Sequence, residues 1–271
     1  MGLGVYVYLE IQAGNSAMRG ALLGGLAAAG ATALGTVPLL FRLNYSERFT
    51  DTLLGFGAGV MLAASSFSLI LPALSAATDQ GSSPLGGSVL VGLGILAGAG
   101  VLFLIDHLTP HEHFVKGVQG THARALKRAW LFVFAIMLHN LPEGLAIGVA
   151  FAGSDSIGAQ SLAAGISIQD LPEGMVVAVA LHSVGYSRKL SAGIAILSGL
   201  VEPLAAVLGV MVLGLSVGLL PWGLAVAAGA MLFVISHEII PESHRKGHEA
   251  WATGGLMVGF VLMMVLDTAL G

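Results

Sequence analysis

Apolar positions fill the chain in eight long runs, residues 18-41, 51-77, 86-107, 128-152, 158-183, 190-217, 221-241 and 250-270, and the short breaks between them hold nearly all of its charge. No run alternates with the period of two that a half-buried strand requires, and ~20 helical residues cross a hydrocarbon core. Each run therefore predicts a membrane-spanning helix, spans one to eight in chain order. The first 17 residues are too short to span. The first basic residue is Arg19, so they lack the basic start of a signal peptide, which predicts direct insertion.

Composition narrows the class. Of 271 residues, 56% are hydrophobic and 10% charged, with mean hydropathy +0.89, whereas a soluble domain carries about a quarter charged residues. A water-soluble enzyme is excluded. Residues 1-271 are expected to form one domain embedded in the lipid bilayer, with no nucleic-acid partner. The 39 glycines follow no three-residue period. Gly20/Gly24, Gly55/Gly59, Gly94/Gly98, Gly144/Gly148 and Gly255/Gly259 instead show the four-residue spacing that lets membrane helices approach closely. The absence of cysteine removes disulfides, thiolate metal sites and cysteine nucleophiles together. Ten of the eleven Lys and Arg residues follow spans one, three, five and seven, and Arg19 alone lies on the other face. Because cytoplasmic loops collect positive charge, a cell-membrane protein with both termini outside the cytoplasm is expected.

Two internal matches organise the runs. His139-Asn140-Leu141-Pro142-Glu143-Gly144 in span four recurs as Gln169-Asp170-Leu171-Pro172-Glu173-Gly174 in span five, an offset of 30 residues. A weaker match sets Gly59, Met61 and Ser66 against Gly229, Met231 and Ser236 at an offset of 170, pairing spans two and seven. Those spans run in opposite directions in the topology above. The expected plan is an all-α membrane protein of eight transmembrane helices, with two inverted three-helix units, about 18-107 and 190-270, around the central pair 128-183 (3+2+3). Transporters are often built from such repeats, with the substrate site near the midplane.

Glu143 and Glu173 are equidistant from Gly158, near the turn joining their helices, and stand ~10 to 14 residues from that loop. That is ~15 to 20 Å, close to the middle of a ~30 Å core. Asp170 and Glu202 fall in the same zone. Insertion scales charge ~2.5 to 3.5 kcal/mol for an acid at a helix centre, and no Lys or Arg lies in the central part of any span. The four carboxylates need cations or protons. On a helix His139 and Glu143 share a face, as do Gln169 and Glu173, with Asn140 and Asp170 beside them. Imidazole, carboxylate and amide oxygen together suit zinc, iron(II), manganese or cadmium. Pro142 and Pro172 each free a carbonyl one turn back, at Leu138 and Ile168. One proline kink or one protonated glutamic acid is ordinary packing; two copies of one six-residue pattern with Asp170 and Glu202 beside them are not. Met61, taken alone, is core filling more often than a ligand.

These motifs, HNLPEG in span four and DLPEG in span five, resemble the ZIP (ZRT/IRT-like) family of divalent metal transporters, closest to its bacterial branch. The likeness covers essentially all eight spans, and Glu202-Pro203 and Met61 also fall at positions the family places around its metals. The resemblance implies one ion held by Met61, His139, Glu143, Gln169 and Glu173. It implies a second held by Asn140, Glu143, Asp170, Glu173 and Glu202, with both glutamates bridging. It further implies uptake into the cytoplasm, frequent homodimers, and helices carrying the metal that slide against a scaffold containing spans two and seven. Many relatives have His-Asn where this chain has Gln169-Asp170. That exchange makes the sites more oxygen-rich and more anionic, tilting them away from a strict zinc preference and admitting cadmium, iron(II) or manganese.

Of nine histidines only His139 is mid-membrane. His107, His111, His113, His122, His182, His237, His244 and His248 fall at inner helix ends or in inner loops, where Asp106, His237, Glu238 and His248 are expected to receive metal leaving the central site. Solvated loop histidines are the plainer alternative. On the outer side Glu10, Asp79, Asp155 and Asp267 form a sparse acidic rim that favours cation approach, a composition that ordinary loop ends share. An intramembrane zinc-dependent hydrolase would also surround a metal with His and acids. No HExxH occurs, however, and one mid-membrane histidine against four acids is nitrogen-poor for hydrolytic zinc. A sodium- or proton-coupled carrier of organic solutes would need polar or aromatic groups of which the central pattern offers few. The expectation is a divalent-metal transporter.

Overall fold

The structure, a computed structural model, describes residues 3–41, 46–108 and 140–270, with residues 133 and 137 between them. Its elements are a short helix Leu3–Gln12 and then α1 (Ser16–Leu40), α2 (Glu47–Asp79), α3 (Pro84–Ile105), α4 (residues 140–152), α5 (Ser156–Ser183), α6 (Arg188–Leu213), α7 (Leu220–His244) and α8 (Glu249–Ala269). All but the short helix and α4 are long and apolar enough to cross a membrane, seven such helices in all. No strand occurs among the described residues. The first half of predicted span four lies outside them, so α4 is the described remainder of that run.

Helix starts follow from the polar breaks. The side chains of Asn15, Ser46, Asp155 and Ser187 accept hydrogen bonds from the first-turn amides of α1, α2, α5 and α6, satisfying groups that would otherwise face hydrocarbon or headgroups unpaired. At Gly81, between α2 and α3, and Gly185, between α5 and α6, φ is 87° and 102°, a turn conformation that glycine adopts without strain. Two departures from plain α-helix went unpredicted. α2 passes through a π segment, Ala64–Ile70, just before Pro72, and α7 through another, Ile235–Ile239, just before Pro241. Ser66 and Ser236, matched in the sequence repeat, both lie in these segments.

The predicted glycine pairs are where backbones meet. On α2 and α8 a methyl group added at Gly55 or Gly59 would strike the carbonyl oxygen of Ala252 or Leu256, and one added at Gly255 or Gly259 would strike that of Thr52 or Phe56. Gly98 and Gly229 lock α3 to α7 in the same way. Gly144 and Gly148 lock α4 to α6, and Gly35 and Gly174 lock α1 to α5. Gly25 brings α1 against the backbone of Pro203 on α6. Backbone approaches of this kind thus divide the described helices into two groups, α1–α4–α5–α6 and α2–α3–α7–α8. Between the groups the glycines meet side chains only: Gly57 faces Gln169, Gly165 faces Met263, and Gly223 faces Val149. The outer surface is apolar, with Leu26, Leu93, Leu96, Phe103, Leu197, Leu204, Val258 and Val265 exposed, as a lipid-facing surface requires. The charged and amide groups discussed next lie inside.

Candidate metal centre

The centre is assembled from α4, α5 and α6. α5 carries Gln169, Asp170 and Glu173 within its length and stays helical through Pro172. α4 brings Asn140 and Glu143. Gly144, next to Glu143, lets α4 approach the backbone of Glu202 so closely that an added methyl would meet the Glu202 carbonyl oxygen. α6 is interrupted at Leu200, and its second segment starts at Val201, so Glu202 occupies a first turn. The free amides of a first turn favour an anion there.

All four acids are buried: Glu143 and Glu202 are 0% exposed, Asp170 1% and Glu173 4%. Ligand oxygens of Glu143, Asp170 and Glu173 lie within 4.8 Å of one another. Two oxygens on opposite sides of an ion bound at ~2.1 Å are ~4.2 Å apart, so this spacing suits a single cation among them. Three ionised carboxylates at that separation repel by roughly 3 kcal/mol per pair at an effective dielectric of ~20. Among the described residues no Lys or Arg pairs with any of the four acids. Asp170 adjoins Glu202, which draws the fourth acid into the cluster.

The amides around the acids are fixed by identifiable partners. Asn140 Nδ2 donates to the Ser198 carbonyl at 2.9 Å, which leaves Asn140 Oδ1 free. Gln169 Nε2 donates to Glu143 Oε1 at 2.7 Å and to Asp170 Oδ1 at 2.6 Å. Thr32 of α1 donates to Glu202 Oε1 at 3.4 Å. Five buried oxygens then remain with no hydrogen-bond partner: Asn140 Oδ1, Glu143 Oε2, Asp170 Oδ2, Glu173 Oε2 and Glu202 Oε2. Unpaired oxygens of this kind are costly in a low-dielectric interior. A doubly charged cation satisfies them together.

The other expected ligands are placed less completely. His139 lies outside the described residues. Met61 is buried on α2, one turn beyond Gly57 and therefore on the same helix face, and Gly57 is the residue that faces the Gln169 side chain. Thr32 and Ser198, which hold Glu202 and Asn140, were not singled out in the sequence. A lone hydroxyl in an apolar helix carries no signal until the fold shows what it touches.

At the basic end of the bundle, His248 Nδ1 lies 2.7 Å from Asp51 Oδ2, and Asp51 is buried. His248 is thus engaged with a carboxylate that the sequence reading overlooked. His237 and Glu238 both fall in the π segment of α7, His237 stacked on Phe233. The side chain of Asp106, and His111, His113 and His122 entirely, lie outside the described residues. His107 is exposed and stacked on Phe103. Replacing His248 with alanine strands the Asp51 carboxylate and is expected to cost about 1 to 3 kcal/mol of stability, read as a lower melting temperature. An unchanged melting temperature would mean that Asp51 does not depend on the imidazole.

At the opposite end, Asp79, Asp155 and Asp267 of the expected rim line one cavity of about 640 Å³, together with Ser68 and Gln80. Ser68 Oγ donates to Asp267 Oδ1 at 2.5 Å. Glu10 lies apart from it, accepting from Asn15.

Comparison with known proteins adds a different kind of observation. A family model described as ZIP Zinc transporter matches residues 111–267. Zinc transporter ZIPB of Bordetella bronchiseptica is 52% identical over 254 residues, covering 93% of this chain and 81% of that protein. Zinc transporter GufA of Myxococcus xanthus is 46% identical over 254 residues, covering 94% of this chain and 100% of that protein. Human Zinc transporter ZIP11 is 31% identical over 339 residues, covering 95% and 99%.

Proposed function

This chain belongs to the ZIP family of zinc transporters, and from that membership we propose that it carries zinc inward across the cell membrane through a binuclear seat on α4, α5 and α6. The observation that carries the reading is the convergence of five unpartnered buried oxygens from Asn140, Glu143, Asp170, Glu173 and Glu202. One ion is held by Met61, His139, Glu143, Gln169 and Glu173. The second is held by Asn140, Glu143, Asp170, Glu173 and Glu202, so that both glutamates bridge. The oxygen-rich set also admits Cd²⁺, Fe²⁺ or Mn²⁺. Membership, with relatives named as transporters, makes the chain a transporter and not a hydrolase.

The direction follows from the two ends. Ions gather at the cavity lined by Asp79, Asp155 and Asp267, which faces outward with both termini. They leave past Asp106, His237, Glu238 and His248 on the cytoplasmic side. Access alternates by movement of α1–α4–α5–α6 against α2–α3–α7–α8. The division is supported by glycine contacts to backbone within each group and to side chains only between them. Two groups locked internally at backbone distance are stiff, and a boundary of side chains slides more easily. The π segments at matched positions of α2 and α7 support an inverted-repeat origin, and a homodimer is the expected assembly.

Metal analysis on purified protein tests the seat. The wild type is expected to bind two zinc equivalents and a Glu202→Ala variant one, since Glu202 serves only the second ion. No zinc bound by the wild type would sink the reading. Two equivalents retained by the variant would remove Glu202 from it.

A further inference from the structure

The two amides of the centre are set in opposite senses. Asn140 has its nitrogen tied to the Ser198 carbonyl and its oxygen left toward the acids without a partner, as a ligand for a cation should be. Gln169 is turned the other way. Its nitrogen lies between Glu143 Oε1 and Asp170 Oδ1, donating to both. An amide nitrogen can only donate, so the Gln169 NH₂ satisfies two carboxylate oxygens with partial positive charge, at the place where a cation would also satisfy them. The Gln169 oxygen points instead at Gly57 of α2, where an added methyl would come within 3.4 Å of it. The missing side chain at Gly57 leaves room for the amide to turn.

We propose that Gln169 is a tethered competitor of the transported ion: its amide nitrogen bridges Glu143 and Asp170 when the ion is away, and the amide rotates to offer its oxygen when the ion arrives. The inference rests on the reading of these carboxylates as the ion's seat. Two charge-assisted hydrogen bonds stabilise the ion-free centre and must be given up on loading, so affinity is held down and unloading is assisted. Asn140, locked by Ser198, does not take part in the exchange. A histidine at position 169 could not perform it in this form, because a neutral imidazole has one N–H to donate and not two on one nitrogen. The Gln169-Asp170 departure noted in the sequence thereby gains a physical role: the extra carboxylate at position 170 and the NH₂ at position 169 are partners.

The test compares melting temperatures of wild type and Gln169→Leu in the same detergent, with chelator and with saturating zinc. A competitor and a mere ligand give opposite signs. If Gln169 competes, the leucine variant melts lower than wild type with chelator, and the zinc-induced rise grows, by ~5 °C for two charge-assisted hydrogen bonds lost from one state. Zinc uptake at saturating zinc slows at the same time, because release loses its assistance. If Gln169 is a ligand only, the chelated variant melts like wild type and the zinc-induced rise shrinks, which overturns the proposal and leaves the seat intact. No zinc-induced rise in the wild type overturns the seat and the proposal together. Gln169→Ala repeats the comparison should leucine not be accommodated. Failure of both variants to fold with zinc present overturns the proposal, since it places the Gln169 contribution in the ion-free state.

Discussion

Alanine at position 143 is expected to abolish zinc uptake into proteoliposomes, by more than about 100-fold, because even groups that only support metal ligands change affinity by ~10 to 100-fold and Glu143 stands closer than that. It contributes to the three-acid cluster, accepts from Gln169 and keeps a second oxygen without a partner, so the reading gives it to both ions at once. Glu143→Gln separates charge from shape. It keeps the volume and removes the charge, and its uptake is expected to fall nearly as far. Uptake that survives in both variants would mean that the buried acids are structural, and the central claim would fail. The measurement is initial uptake of zinc at fixed protein-to-lipid ratio, with insertion confirmed by protease protection.

The second large effect is on stability. Gly59→Val drives a methyl group into the Leu256 carbonyl oxygen of α8, and the obstacle is backbone, so no change of rotamer relieves it. Overpacking ordinarily costs ~1 to 3 kcal/mol, and here about 3 kcal/mol or more is expected, enough to remove most folded material from a marginally stable protein. Gly254→Ala is the matched control. On α8, nothing lies within 4 Å of its added methyl, and a near-neutral melting temperature is expected. Size-exclusion profiles and thermal melts of the two variants, purified side by side, decide the matter. Equal behaviour would mean that α2 and α8 are not held at backbone contact.

Much of this fold is legible in the chain because a bilayer imposes few solutions. The runs at 51-77 and 158-183 became Glu47–Asp79 and Ser156–Ser183, displaced by a few residues because Ser46 and Asp155 cap their helices beyond the apolar stretch. The small-xxx-small pairs marked the helix surfaces that touch, but not which helix each would touch. That Gly55 meets α8 while Gly144 meets α6 depends on three-dimensional fit. The acids were legible for a simpler reason: a carboxylate in an oily run is conspicuous, as Glu143, Glu173 and Glu202 are. Asp51 escaped notice because it sits at a helix end, where an acid is ordinary, and only the fold reveals that it is buried against His248. The π segments were illegible as well. Their single extra residue per turn leaves the apolar pattern nearly unchanged, and only Pro72 and Pro241 hint at them.

That all four acids reside on one group of helices bears on how membrane voltage acts. With the acids ionised and two divalent ions seated, the moving body is electrically neutral in its interior, and the potential does nothing to it. Unloaded, it is negative, and a cell interior at negative potential pushes it back toward the outer leaflet with ~2.3 kcal/mol per charge per 100 mV of field traversed. Each proton the acids take up removes one charge's share. In this arrangement voltage leaves the delivery stroke alone and speeds the empty return.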